Sequence, residues 1–198
     1  MVAAFHYFSP EDYLAAEAAS PTKHEYRDGD VYAMAGGTDA HITLALNLWA
    51  MLRSHLRDRG CRAYALDMKA RIEARNRFYY PDVMVTCDDR DTALSTYKQH
   101  PCLIVEVVSD STEAFDRGDK FADYRQIDSL EEYVLISQTR PQVEVFRRSD
   151  ERLWVLHPYA QGDQVSLASV GWVGSMADLY EDVALANSED EDPQPLFV

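Results

Sequence analysis

Tyr79-Tyr80-Pro81-Asp82-Val83-Met84-Val85 and, after a polar break, Pro101-Cys102-Leu103-Ile104-Val105-Glu106-Val107-Val108-Ser109 decide the reading of this chain. Each half is a short apolar, β-branched run, the pattern of a buried strand. Each carries one carboxylate. Asp82 opens the first strand just after a proline, and Glu106 sits between Val105 and Val107. A glutamate in so apolar a run is costly unless it is paired, protonated or bound to a cation. Two such strands side by side would aim both carboxylates at one point.

Working outward, Ser109-Asp110-Ser111-Thr112 reads as a turn and a helix start. The segment 116–127 comes next, with Phe121, Tyr124 and Ile127 on one helical stripe. Residues 132–137, 142–148, 153–159 and 165–167 read as strands separated by polar turns, and 176–180 as a last short helix. Upstream, Ser9-Pro10-Glu11-Asp12 is a helix start with serine as N-cap, proline at the first helical position and Asp12 as capping-box partner. That helix stops before Pro21. Asp28-Gly29 between two strand-like runs, 24–27 and 30–34, signals a hairpin. Thr38 caps a helix over 39–59, with Ile42, Leu44, Ala45, Leu48, Trp49, Leu52 and Leu56 at helical spacing and Gly60 as its end. Strands near 61–66, 68–73 and 78–86 complete the order. It is mixed α/β without regular βαβ alternation: one domain over 1–180 and an acidic, disordered tail over 181–198.

The 198 residues suffice for one well-formed core. No run of about 18 apolar residues spans a membrane, and the N-terminus lacks the pattern of a signal peptide, so a cytoplasmic location is expected. Cys61, Cys87 and Cys102 are widely spaced and read as buried free thiols. The formal charge of −15 argues against broad non-specific binding to nucleic acid. Any polyanion site must therefore be a local basic patch or a metal site.

Asp82 and Glu106 suit Mg²⁺, which takes one or two protein carboxylates and keeps several waters. The competing reading is an aspartate that caps a turn and a glutamate in a buried ion pair. Lys120, flanked by Arg117 and Arg125, is placed either to assist a nucleophilic water or transition-state charge or to sit on a solvated helix face. Glu25 is a third metal ligand or a cross-strand partner for a basic residue. His41 is more often structural, and Lys69 is a reserve cation. No phosphate-binding glycine loop, nucleophile elbow or zinc spacing is present.

These same residues resemble the Uma-two family of endonucleases, within the PD-(D/E)XK nuclease superfamily. The resemblance lies in 81–85, in 104–112, in Asp116, Lys120 and Tyr124, in 24–37 with His41 and Asn47-Leu48, and in 131–136. It covers about residues 9 to 180. It implies a restriction-endonuclease-like fold, with a central mixed β-sheet flanked by helices. It also implies Asp82 and Glu106 as metal ligands for Mg²⁺ or Mn²⁺, with Glu25 as an additional acidic residue. The superfamily pattern expects a lysine two residues after the second acid. Here that position is Val108, and Lys120 on the next helix is its functional equivalent. Ile127-Asp128-Ser129 departs from a glycine that relatives often carry, which affects a turn more than the site.

Two functions are expected from this reading. One is a metal-dependent endonuclease on DNA, acting as a homodimer, with Asp82, Glu106, Lys120 and Glu25 in its site. The other is an inactive nucleic-acid-binding or protein-interaction module of the same fold.

Overall fold

In the computed structural model the first helix starts where the sequence predicts. Ser9 Oγ accepts from Asp12 N and donates to the Asp12 carboxylate, and α1 runs over Pro10–Ala19. The structure describes residues 7–185. Residues 1–6, the stretch read for a signal sequence, and residues 186–198 of the expected tail lie outside the described residues. The start of that tail is instead ordered against the fold, with Glu181 O accepting from Asn47 Nδ2 (2.8 Å) and Val183 packed on the core. Among the described residues no helix is long and apolar enough to cross a membrane.

The hairpin β1 (His24–Arg27) and β2 (Asp30–Ala33) turns at Asp28 (φ 47°) and Gly29 (φ 101°). Two left-handed residues in succession are what a type I′ turn requires. Glycine is also needed sterically, because a Cβ at position 29 would lie 2.2 Å from the Tyr7 ring. Helix α2 (Asp39–His55) begins at the predicted cap, with Thr38 Oγ1 accepting from His41 N. It ends four residues earlier than expected. The apolar stripe stops at Leu56, the polar Arg57, Asp58 and Arg59 that follow are exposed, and the chain turns through Asp58 and Gly60, both at positive φ.

Strands β3 (Arg62–Ala65) and β4 (Lys69–Ile72) come next, as predicted. The single strand expected over 78–86 is two: β5 (Arg77–Tyr79) and β6 (Val83–Thr86). Pro81 has no N–H to give a ladder, and the chain there crosses between sheets. After the short β7 (Tyr97–Lys98), which carries no strand signal of its own, comes β8 (Pro101–Val108). The predicted helix after Glu106 is composite: α3 (Glu113–Phe115), a π-helical turn (Asp116–Lys120) and α4 (Phe121–Tyr124). Then come β9 (Glu132–Ser137), β10 (Gln142–Arg148), β11 (Trp154–Ala160), β12 (Gln164–Leu167), β13 (Trp172–Ser175) and α5 (Met176–Leu179).

The expected central mixed sheet is six-stranded, in the order β11-β10-β9-β8-β6-β3. Only its β8–β9 pair is parallel, and the composite helix lies in that crossover. A second, five-stranded sheet has the order β2-β1-β5-β4-β7, and β12 pairs with β13. The central sheet is covered on both faces. Leu103, Val105 and Val107 pack with α2, while Ile104 and Val108 pack with Phe121, Tyr124 and Tyr133. By strand alternation Glu106 shares the second face. A third cluster of Tyr13, Tyr26 and Phe78 seats α1 on the smaller sheet.

The cysteines differ from expectation. Arg62 pairs with Thr86 at the end of β3 and β6, which sets Cys61 against Cys87, and these two form a disulfide. Only Cys102 is a buried free thiol. Two cysteines 26 residues apart carry no motif, so only the strand register reveals the pair.

Glu132 is fully buried on β9, and its carboxylate accepts from Arg147 Nε (2.7 Å), Ala168 N (3.1 Å), Ser169 N (2.9 Å) and Ser169 Oγ (2.6 Å). It ties the β12–β13 unit to the central sheet. Removing one partner of a buried pair costs about 3–5 kcal/mol. Glu132→Ala is expected to lose stability in that range in urea unfolding, and a loss below about 1 kcal/mol would assign the anchoring to apolar packing instead.

Candidate active site

Strand β6 lies beside β8 with Val83 opposite Val105, so Asp82 and Glu106 occupy neighbouring positions at the same end of the two strands. They border a cleft of about 490 Å³, also lined by Glu25, His41, Asp116 and Lys120. Glu106 is 3% and Lys120 7% exposed. The Lys120 ammonium lies 3.1 Å from Glu25 Oε1, 3.3 Å from Glu106 Oε1 and 3.3 Å from Asp116 Oδ1. Of the sequence-predicted residues, Glu25, Glu106 and Lys120 therefore meet directly. Lys120 is not on a solvated face, and Glu106 does stand in a buried ion pair.

The π-helical turn places this lysine. Such a turn inserts a residue into an α-helix and is frequent at functional sites. Here it spans Asp116–Lys120, with Tyr133 Oη donating to Asp116 O (2.9 Å). One turn on, Tyr124 Oη donates to Glu106 Oε1 (3.0 Å).

Asp82 is held separately. His41 Nε2 lies 2.8 Å from its Oδ1, and Val107 N donates to its Oδ2 at 2.7 Å. The Val107 backbone thus contributes its N–H to the aspartate. Pro81 fixes the approach of Asp82 as the chain leaves β5 for β6. Glu25 also accepts from Arg27 Nη2 (3.1 Å); this basic partner lies two residues on along the same strand rather than across it, where Tyr32 stands opposite Glu25. Lys69 belongs elsewhere, donating to Tyr80 Oη (3.2 Å), which in turn donates to Glu17 (2.8 Å).

The electrostatics follow from this crowding. Burial pushes the Glu106 carboxyl well above 4.5; Lys120 works against this, and Asp116 and Asp82 add to it. Burial likewise raises Asp116. Burial opposes the charge of Lys120, yet Glu106, Glu25 and Asp116 together hold its pKa above the ordinary lysine value. It is a fixed cation at neutral pH, not a base. The hydrogen bond to Asp82 raises His41 against the effect of burial.

His41 and Asp116 are the participants that residue-by-residue reading undervalued. The i, i+4 spacing of Asp116 and Lys120 was a visible signal. The pairing of His41 with Asp82 was not, because it spans 41 residues between elements.

Comparison with known proteins agrees with this architecture. A crystal structure from Anabaena variabilis, described as a "putative nuclease belonging to DUF820", superposes with a TM-score of 0.71 at 14% identity, over 88% of this chain and 98% of that one. This likeness is one of fold. Two proteins of Synechocystis sp., slr1290 and sll1609, both described as uncharacterized, are similar in sequence. The first is 37% identical over 92% of this chain and 96% of its own length. The second is 33% identical over 73% and 83%. Residues 10–177 match the Uma2 family, described as "Putative restriction endonuclease", and the chain belongs to that family.

Proposed function

We propose that this chain is a divalent-metal-dependent nuclease that hydrolyses phosphodiester bonds in DNA. The observation that carries the reading is the buried ammonium of Lys120 within 3.3 Å of Glu25, Glu106 and Asp116, beside Asp82 in one cleft. The family description supports it.

The donor set fits Mg²⁺ or Mn²⁺. Asp82 and Glu106 offer hard oxygens from adjacent strands, with Glu25 beside them. Among the described residues no three His, Cys, Asp or Glu side chains form a ready-made metal shell. Mg²⁺ takes one or two protein carboxylates and keeps its waters, so the pair Asp82 and Glu106 is the part of the set that would hold it. Charge supports it too. Glu25, Asp82, Glu106 and Asp116 outnumber Lys120 and Arg27, and Asp116 and Asp82 add to the burial that raises the Glu106 carboxyl. A bound divalent cation would supply Lewis-acid stabilisation of the phosphoryl oxygens and activation of water.

The chain's own residues then divide the work. Glu25, Glu106 and Asp116 hold Lys120 charged, and its ammonium offsets negative charge that develops on the phosphoryl group. His41 and Val107 N fix the orientation of Asp82. Tyr124 keeps one oxygen of Glu106 engaged. Two copies of the chain would supply the two cuts a duplex requires.

Purified protein, offered single-stranded DNA, duplex DNA and RNA, is expected to cut DNA with Mg²⁺ or Mn²⁺ and to stop in EDTA. Asp82→Ala and Lys120→Ala should each lose about 10²-fold or more. Equal cutting by wild type and both variants would point to a contaminant and remove the assignment.

The raised Glu106 carboxyl gives a second test. Below about pH 4.5 folded and unfolded chains both hold the proton. As pH rises, the unfolded chain ionises freely while the folded one resists, so stability falls until the folded pKa is passed. Glu106→Gln escapes that loss but also takes one anion from Lys120. In EDTA its Tm relative to wild type should therefore rise between about pH 4 and about pH 7.5. Mg²⁺ should raise the wild-type Tm and leave the variant unmoved. A Tm difference that stays flat or falls over that range would contradict the site's electrostatics.

A further inference from the structure

Cys102 sits at an irregular point of β8. Strand alternation would put it on the face of Ile104 and Glu106, opposite Leu103. It packs instead in the same cluster as Leu103, on the side of α2. The cause is a bulge. Val85 pairs with Leu103, but Thr86, the next residue of β6, pairs with Pro101, so Cys102 is the extra residue. A bulge re-aims a side chain, and this one turns the thiol toward the disulfide. Cys102 Sγ lies 3.8 Å from Cys87 Sγ and 3.5 Å from Val85 O. Cys87 is bonded to Cys61, so the three sulfurs form a contiguous row with Cys87 in the middle.

Their surroundings differ. Cys87 is exposed and Cys61 half-buried, while Cys102 is buried. Burial, with Glu131 and then Glu132 adding to it, pushes the Cys102 thiol up to about 12. The thiolate is the species that attacks a disulfide, so the resting thiol is held back by its burial. A cysteine that only filled the core would need no sulfur beside it. This one is in contact with a disulfide sulfur through a local departure from strand geometry.

We infer that Cys61, Cys87 and Cys102 form a thiol–disulfide exchange site, in which the bond of Cys87 moves from Cys61 to Cys102. Cys102 gives its proton to solvent and its sulfur attacks Cys87 Sγ. The Cys87–Cys102 bond forms as the Cys61–Cys87 bond breaks, and Cys61 leaves as a thiolate that takes a proton from solvent. One disulfide and one thiol stand on each side of the step, so it needs no oxidant or reductant. The consequence falls on β3, the edge strand of the central sheet. With the bond at Cys61, β3 is stapled to β6. With the bond at Cys102, the staple joins β6 to β8. What then holds β3 is its ladder to β6, the bond from Trp49 Nε1 to Ala63 O (3.1 Å) and that from Leu66 N to Asp82 O (3.1 Å). The last of these ties the strand to the backbone that carries Asp82. The inference does not depend on the nuclease reading.

The test is alkylation of the full chain, prepared without reductant and kept native in excess iodoacetamide, followed by acid quench and peptide mapping without reduction. Label should appear on Cys61, with Cys87 linked to Cys102. Its rate should rise about tenfold from pH 7 to pH 8, as the thiolate fraction does below the pKa. Label on Cys102 with Cys61–Cys87 intact, on all three cysteines or on none would overturn the inference, as would a rate that ignores pH. Cys61→Ser removes the resident disulfide and asks whether the other can close. Diamide should take both free thiols to a Cys87–Cys102 bond, being itself reduced to the hydrazine. Two thiols still free after diamide would also overturn the inference.

Discussion

Lys120 carries its charge inside the protein, and a buried ammonium is tolerable only with close, well-placed anions. The three that serve it come from different places. Glu106 is on the central sheet, Glu25 on the smaller sheet, and Asp116 on the same helical run as the lysine. The cluster therefore fixes how three units dock. If the smaller sheet moved away, Lys120 would lose one of its three anions, Glu25, and keep Glu106 and Asp116. The apolar clusters hold the layers together, but they are indifferent to small slips. The charge cluster is not, because its stability depends on hydrogen-bond-length separations.

The passage between the sheets is made at Pro81. A strand running unbroken through 78–86 would have carried Asp82 within one ladder, bonded along its length. Instead the proline ends β5, and the aspartate side chain takes a backbone N–H from β8 and the imidazole of His41 from α2. The crossing point is thus also the point where the long helix is tied to the carboxylate cleft. The same smaller sheet brings Glu25 to the cluster and Arg27 beside it.

Local signals made much of this legible. Caps at Ser9 and Thr38, the Asp28-Gly29 turn and the apolar run around Glu106 each announce themselves within a few residues. The structure puts elements at those places. What the sequence hid was non-local. The disulfide and the His41–Asp82 pair depend on strand register and on which helix face meets which strand end. The split at Pro81 was signalled by the proline itself, but the apolar residues on both sides look like one strand because both halves are buried. The short β7 and β13 escaped notice because pairing defines them, not composition. For the carboxylate cluster, residue types suggested candidates and the resemblance selected among them. Neither showed that the lysine would be enclosed by three acids.

Position 108, where the resemblance leads to the expectation of a lysine, is Val108. Residues 106 and 108 share a face of β8, so a lysine at 108 would have stood on the strand beside the glutamate. Val108 instead packs with Ile104, Phe121 and Tyr124, and the ammonium arrives from the helix. The acid and the cation still meet, and a π-helical turn rather than a strand sets their distance. A strand holds its side chains by a ladder on both sides. A π turn holds them by one inserted residue, and removing that residue would rotate the remainder of the helix by about 100°, one α-helical step. Asp116, Tyr124 and the hydrogen bond from Tyr133 to the Asp116 carbonyl are the restraints that keep the turn in place. Tyr124 and Tyr133, which do not line the carboxylate cleft, are therefore part of how the site keeps its geometry.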